Sequence, residues 1–265
     1  MLRKELISRC GSRYSISHPL SALNSIDRNK KYVFIGKPCD ITALYNFLEE
    51  DPSYKENIVL TLSFFCAGLP SMAAQRKLVE YLGCSMDTVS TLRYRGDGWP
   101  GYTTAIDKQG NVYRTDYETS WGTMLGRDIM KMCRFCMDGI GELADISCGD
   151  AWYVGTNNKP KFDEHEGRNV IFSRSEKGNE ILNKIIKDGR ITVESPKLDE
   201  LRFIQKYQYD RRSTMLDKIL ALKIAGRPVP RYSFQNMKYY GEGVPLKRHL
   251  SIFGGILKRI RQGKI

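Results

Sequence analysis

Twice in its first third the chain repeats one pattern: an unbroken apolar strand, a tight loop holding a cysteine, and an amphipathic helix. Tyr32-Val33-Phe34-Ile35 runs into Gly36-Lys37-Pro38-Cys39-Asp40, after which Ile41, Leu44, Tyr45 and Leu48 share one helical face. Ile58 to Phe65 runs into Cys66-Ala67-Gly68-Leu69-Pro70, and Ser71 begins a helix reaching about Leu82. Strands apolar on both faces, each followed by a helix, imply a parallel sheet with right-handed crossovers. Asp40 and Ser71 are residue types that cap helix N-termini. Each cysteine is therefore expected at the carboxyl end of a parallel strand, the edge where open α/β sheets hold ligands. Each also lies beside a helix N-terminus, which favours an anion.

Beyond residue 87 the pattern changes. Val89 to Arg95, Tyr102 to Ile106 and Val112 to Thr115 read as short strands. They are joined by Gly96-Asp97-Gly98-Trp99-Pro100-Gly101 and Asp107-Lys108-Gln109-Gly110-Asn111, both hairpin signals. A helix is expected from about Trp121, delivering Cys133 and Cys136. Strand Val170 to Phe172, a helix after Ser175 with Ile181, Leu182, Ile185 and Ile186 on one face, and a helix over 214–225 resume the first pattern. The expected fold class is α/β: a mixed, mainly parallel sheet with flanking helices and an inserted antiparallel β-meander. Arg227-Pro228-Val229-Pro230 closes the body, giving a domain over 1–230 and a basic, partly helical C-terminal tail over 231–265.

The cysteines carry the main chemical signal. Cys133-Arg134-Phe135-Cys136 is a C-x-x-C, which lets two thiolates grip one metal centre from a single turn; Cys39 and Cys66 would add two more. Soft thiolates in such an array select zinc or an iron–sulfur cluster. Structural zinc commonly uses two close pairs, whereas one pair plus two single cysteines suits a cubane better. Seven cysteines is an odd number and Met1-Leu2-Arg3-Lys4-Glu5 is no export signal, so metal is favoured over disulfides and a cytoplasmic setting is expected. Cys84 and Cys148 read as structural thiols.

The net charge of +12 is unevenly placed. Residues 1–31 carry +5 and residues 243–265 carry +6, which leaves +1 for everything between. A near-neutral body argues against a nucleic-acid enzyme. In the tail, Leu246, Leu250, Phe253, Ile256, Leu257 and Ile260 fall on one helical face with lysines and arginines on the rest, a pattern for peripheral contact with an anionic membrane or with a partner. There is no P-loop, nucleophile elbow or GxGxxG, and His18, His165 and His249 are dispersed, so catalytic side chains stay unassigned and the chemistry falls to cofactors. Arg93, Arg95 and Trp99 form either a substrate-binding edge that grips an anion or an alternating solvated strand face. Asp145 and Asp150 either cap turns or, for Asp150, orient a substrate or cofactor.

Taken together, Gly36-Lys37-Pro38-Cys39, Phe65-Cys66-Ala67-Gly68-Leu69-Pro70-Ser71, Gly98-Trp99-Pro100-Gly101, Cys133-Arg134-Phe135-Cys136 and Ala144-Asp145-Ile146-Ser147-Cys148-Gly149-Asp150 resemble the coenzyme F420 hydrogenase/dehydrogenase beta-subunit family. Gly11-Ser12-Arg13-Tyr14 matches a further element of that family. The resemblance spans roughly residues 8 to 190. It implies an iron–sulfur flavoprotein oxidoreductase that passes electrons between a [4Fe-4S] cluster, FAD and a small organic substrate or deazaflavin coenzyme; some relatives belong to surface-polysaccharide metabolism. It makes Cys39, Cys66, Cys133 and Cys136 the cluster ligands. It puts Gly11, Ser12, Arg13, Tyr14 and Lys37 near the flavin, with Asp150 as a further cofactor-orienting residue. Many relatives open with a ferredoxin-like module; here about ten residues precede Gly11, so a separate electron-donor protein such as a ferredoxin-like subunit is expected. The competing reading is a non-enzymatic domain stapled by zinc or a cluster on four cysteines, binding a partner through its basic termini.

Overall fold

The computed structural model describes residues 12–265. Along the chain come β1 (Tyr32–Gly36), α1 (Pro38–Glu50), β2 (Ile58–Phe64) and α2 (Met72–Tyr81), then β3 (Val89–Arg93), β4 (Thr103–Asp107) and β5 (Val112–Thr115). After these follow α3 (Lys131–Arg134), β6 (Ile146–Asp150), β7 (Asn169–Ser173) and α4 (Glu176–Lys187). Five helices complete the chain: α5 (Leu201–Ile204), α6 (Lys206–Ser213), α7 (Met215–Ile224), α8 (Phe234–Gly241) and α9 (Leu246–Arg261). The main sheet has the order β1-β2-β6-β7, parallel across its first three strands and antiparallel at β7. The meander β3-β4-β5 forms a second, antiparallel sheet. This is the mixed α/β architecture expected from the strand–helix alternation.

Register brings three strand ends abreast. Gly36 pairs with Ser63, and Ser63 with Ser147, so β1, β2 and β6 deliver their following loops to one edge. Asp145 locks that alignment from inside. Its carboxylate accepts from the Thr61 amide at 2.8 Å, the Thr61 hydroxyl at 2.9 Å and the Ser175 hydroxyl at 2.5 Å. Burial works to raise its pKa, but the bonds from Ser175 and Thr61 win and hold it below the usual carboxylate range.

Packing divides by element. Helix α1 buries Ile41, Leu44 and Leu48 against Phe34, Ile58 and Ala144, each buried side chain contributing roughly 2 kcal/mol. Helix α2 buries Ala74, Leu78 and Val79 against Tyr94 and Ala105 of the meander region, so the meander is held by a helix of the parallel unit. Phe135, lying between two cysteines, packs into a cluster with Met215, Ile219, Leu222, Met237 and Ile256. The hydroxyl of Tyr232 donates to the Phe135 carbonyl at 2.7 Å. Residues 231–265, expected as a tail, thus share a core with the C-x-x-C turn. Among the described residues no helix is long and apolar enough to cross a membrane.

Two local expectations need correction. Asp40 is not the N-cap of α1; Lys37 is, and Asp40 reaches back to accept from the Lys37 amide at 2.9 Å. Pro38 fixes a helical φ at the first position, which starts the helix earlier and puts Cys39 inside its first turn. The long helix expected from Trp121 is instead a π-helical turn (Glu118–Met124), a 3-10 turn (Leu125–Arg127) and the short α3.

Candidate metal centre and the cleft beside it

Cys39 comes from the first turn of α1, Cys66 from the loop after β2, and Cys133 and Cys136 from α3 and the residues after it. Backbone bonds draw the last two loops together. The Met130 amide donates to the Leu69 carbonyl and the Ser71 amide to the Asp128 carbonyl, both at 2.8 Å; the Cys66 amide donates to the Gly139 carbonyl at 2.8 Å. Gly68, at φ +114, permits the approach: a Cβ there would lie 2.8 Å from Ile129 Cδ1 and 3.1 Å from Cys133 Cβ. The Leu69 amide then donates to Cys133 Sγ at 3.4 Å, the kind of bond that stabilises a thiolate.

Three of the four thiols carry a shift to which others of the set contribute. Burial pushes the Cys39, Cys66 and Cys136 thiols up, and each is pushed further by others of the set. Cys66 and Cys133 act on Cys39, Cys133 and Cys136 act on Cys66, and Cys39 acts on Cys136. Arg211 pulls Cys66 and Cys136 back down, and Lys37 does so for Cys39. Cys148 is raised by burial alone, and Cys84 lies in the α2–meander core. Among the described residues no group of three or more His, Cys, Asp or Glu side chains is set closely enough to hold a single metal ion.

The other expected site residues divide. Arg95 and Asp150 form a two-pronged ion pair at 2.8 and 3.2 Å, and Trp99 Nε1 donates to the same carboxylate at 2.9 Å. Trp99 also stacks on Trp152 with ring centroids 4.8 Å apart. Arg93 lies apart, on the outer side of the meander, where Asp97 takes both its guanidinium and that of Arg114 at 3.2 Å. Tyr14 packs between Tyr94 and Trp121, and burial pushes its hydroxyl up to about 12. Lys37 Nζ is held by Asp40 at 2.6 Å and reaches Ser17 at 3.3 Å. Ser12 and Arg13 lie just before Tyr14, and Gly11 is outside the described residues. Of the groups assigned to a flavin, Tyr14 and Lys37 are thus engaged with protein partners.

A better cavity lies on the other side of the Cys66 loop. A cleft of about 370 Å³ is lined by Phe65, Ile140, Phe172 and Leu201, with Arg202 and Arg212 among its polar groups. Phe65 and Phe172 stack at 5.9 Å and 17°. The cleft shares its wall with the thiol site, because Gly139 lines it while accepting from the Cys66 amide, and Gln208 lines it while donating to the Cys66 carbonyl at 3.1 Å. Sequence reading missed it. Its residues come from five distant segments and make no motif, and only the apolar pair Phe65 and Phe172 at two strand ends gave a local signal.

The family model for the C terminus of the coenzyme F420 hydrogenase/dehydrogenase beta subunit matches residues 29–199. The chain belongs to that family. The matched residues include all four cysteines of the thiol site and end before α5, so the family pattern covers the ligand candidates but not the C-terminal helices. Similar curated proteins bear the name coenzyme F420 hydrogenase subunit beta. The one from Methanococcus voltae is 25% identical over 86% of this chain and 76% of the relative. The one from Methanosarcina barkeri is 26% identical over 82% and 72%. A chain of the F420-reducing [NiFe] hydrogenase complex from Methanosarcina barkeri has a similar fold, with a TM-score of 0.59 and 22% identity over 86% of this chain and 75% of that one. Hydrogenases and dehydrogenases are oxidoreductases, and membership of their beta-subunit family gives this chain an oxidoreductase-type role of the iron–sulfur kind.

Proposed function

We propose that this chain is an iron–sulfur oxidoreductase subunit in which Cys39, Cys66, Cys133 and Cys136 hold one [4Fe-4S] cluster. The observation that supports this reading is geometric: β1 and β2 end abreast, so Cys39 and Cys66 follow neighbouring strand ends, and backbone hydrogen bonds tie the Cys66 loop to the segment carrying Cys133 and Cys136. The donor set fits: soft sulfur ligands, an amide aimed at Cys133, and a buried guanidinium beside Cys66 and Cys136. A tetrahedral zinc site with bonds of about 2.3 Å needs its sulfurs much closer together than a core of several irons does. When bound, the cluster supplies one-electron relay. The chain's own part is to fix the thiolates, exclude water with Phe135 and its helical core, and present the adjoining cleft.

That cleft is the proposed berth for the organic electron carrier, FAD or a deazaflavin such as the coenzyme F420 of the relatives' names. The rings of Phe65 and Phe172 give a flat apolar wall, and Arg202 gives a cation for phosphate or carboxylate groups on the carrier. Electrons would enter from a partner protein of the ferredoxin type, in a cytoplasm that keeps the thiols reduced. The test is anaerobic titration of the iron-loaded chain with FAD and with coenzyme F420, followed by ligand fluorescence, and then mixing of the reduced protein with whichever binds. Quenching that Phe172→Ala weakens by about tenfold, with electron transfer to the bound carrier, supports the reading. Iron-loaded protein that binds neither carrier and reduces neither would overturn it.

A further inference from the structure

Arg211 is a buried cation that, among the described residues, has no carboxylate partner. It is 6% exposed on α6, and its Nη2 donates to two neutral acceptors, the Cys66 carbonyl at 3.1 Å and Gln208 Oε1 at 2.7 Å. The nearby acids are already committed. Asp210 takes Lys206 and Arg248, Glu142 takes Arg212, and Asp138 accepts the amides of Ile140, Gly141 and Glu142. Among the described residues no carboxylate pairs with Arg211. A buried, unpaired charge is among the most costly groups a protein can hold. Its guanidinium instead reaches the backbone of the Cys66 loop and lies 5.6 Å from the centre of the Tyr207 ring.

The backbone also makes room for it. A Cβ on Gly139 would fall 1.6 Å from Arg211 Nη2, so only glycine there lets the guanidinium reach the Cys66 loop. Lys218, on the following helix α7, donates to the Arg211 carbonyl at 3.1 Å and adds a second, half-buried basic group behind the first. Arg211 lies beyond the residues matched by the family pattern, on a helix that supplies none of the four sulfurs.

We infer that Arg211 is the built-in counter-cation of the four-thiolate centre and that its charge sets how readily the centre accepts an electron. This rests on the cluster reading above. Uptake of one electron from an outside reductant such as dithionite converts the dianionic thiolate-bound cluster to a trianion, with no bond made or broken. A fixed cation in a low-dielectric site favours the more negative state and raises the reduction potential. Zinc held by the same thiolates would be neutralised by Arg211 equally well but would show no such electron uptake.

The experiment is an anaerobic redox titration of the iron-loaded protein, with iron and sulfide counted per chain. Arg211→Gln and Gly139→Ala should keep the cluster yet shift its midpoint to more negative potential. Arg211→Lys, which keeps the charge and loses the fork, should shift it less than Arg211→Gln. Arg93→Gln, a remote surface change, should leave it where it is. An Arg211→Gln protein with full iron and an unmoved midpoint would overturn the inference and leave the cluster reading intact. Should Arg211→Gln fail to hold iron, Arg211→Lys and Gly139→Ala decide: unmoved midpoints in both overturn it, and shifts in the stated order support it. A wild-type chain without iron and sulfide sinks the cluster reading itself, and with it any role for Arg211.

Discussion

Two polar constellations sit near the same edge of the main sheet, and they are built on opposite principles. Around Asp150 every strong group has found a partner: two prongs of Arg95, the Trp99 indole and an aromatic stack against Trp152. Around Cys66 the demands stay open. Three of the four thiols are pushed up by burial and further by others of the set, and the guanidinium of Arg211 donates only to neutral acceptors. A closed network rigidifies a fold, whereas an open one of soft donors beside a buried cation is completed by a metal core that holds the donors as thiolates and so gives the cation its counter-charge. The closed site therefore reads as the frame that fixes the meander on the sheet, and the open one as the seat of function.

Breaking the open site should have the largest effect. Cys66→Ser or Cys133→Ser is expected to cut bound iron to less than about a tenth of wild type, read by iron and sulfide analysis. Full retention in either variant would remove that cysteine from the ligand set. Next comes the buried strut beneath both sites. Asp145→Ala leaves the Thr61 amide and the hydroxyls of Thr61 and Ser175 without their acceptor and should cost about 3 kcal/mol in chemical denaturation. The same carboxyl carries a pH signature. Its folded pKa lies below the unfolded value, so its stabilisation is present above the ordinary carboxylate range and lost as pH falls through the folded value. Asp145→Asn should flatten that part of the acid-side stability curve, and an unchanged acid slope would contradict the assignment.

The closed site comes third. Asp150→Ala strands Arg95, whose charge burial disfavours and the Asp150 carboxylate restores, and should cost about 2 kcal/mol because the pair is partly open to solvent. Iron content should stay at wild-type level. Loss of iron on this change would mean that the two constellations are one site. The smallest effect belongs to the exposed pair of the meander: Arg93→Ala should shift stability by no more than about 0.5 kcal/mol.

Much of the frame could be read from local patterns. The strands β1, β2 and β7, the Ser71 and Ser175 caps, and the meander all lie where apolar runs and glycine-rich turns put them. Those features are set by neighbours in the chain. What was not legible depends on distant partners. Helix α6 is largely polar and carries no apolar periodicity, yet Gln208 and Arg211 are buried because they satisfy the Cys66 carbonyl from 142 and 145 residues away. The basic C-terminal segment reads as a surface tail, yet Ile256 is buried beside Phe135. Arg93 and Arg95 read as an anion-binding edge or a solvated strand face; Arg93 ends β3 and pairs with Asp97, while Arg95, past the strand end, pairs with Asp150.

The most direct measurement is an anaerobic absorbance spectrum of the purified chain with iron, sulfide and zinc quantified on the same sample. The account predicts brown protein with about four irons and four sulfides per chain and a broad visible band that dithionite bleaches. Colourless protein carrying one zinc per chain, with no sulfide, would contradict it.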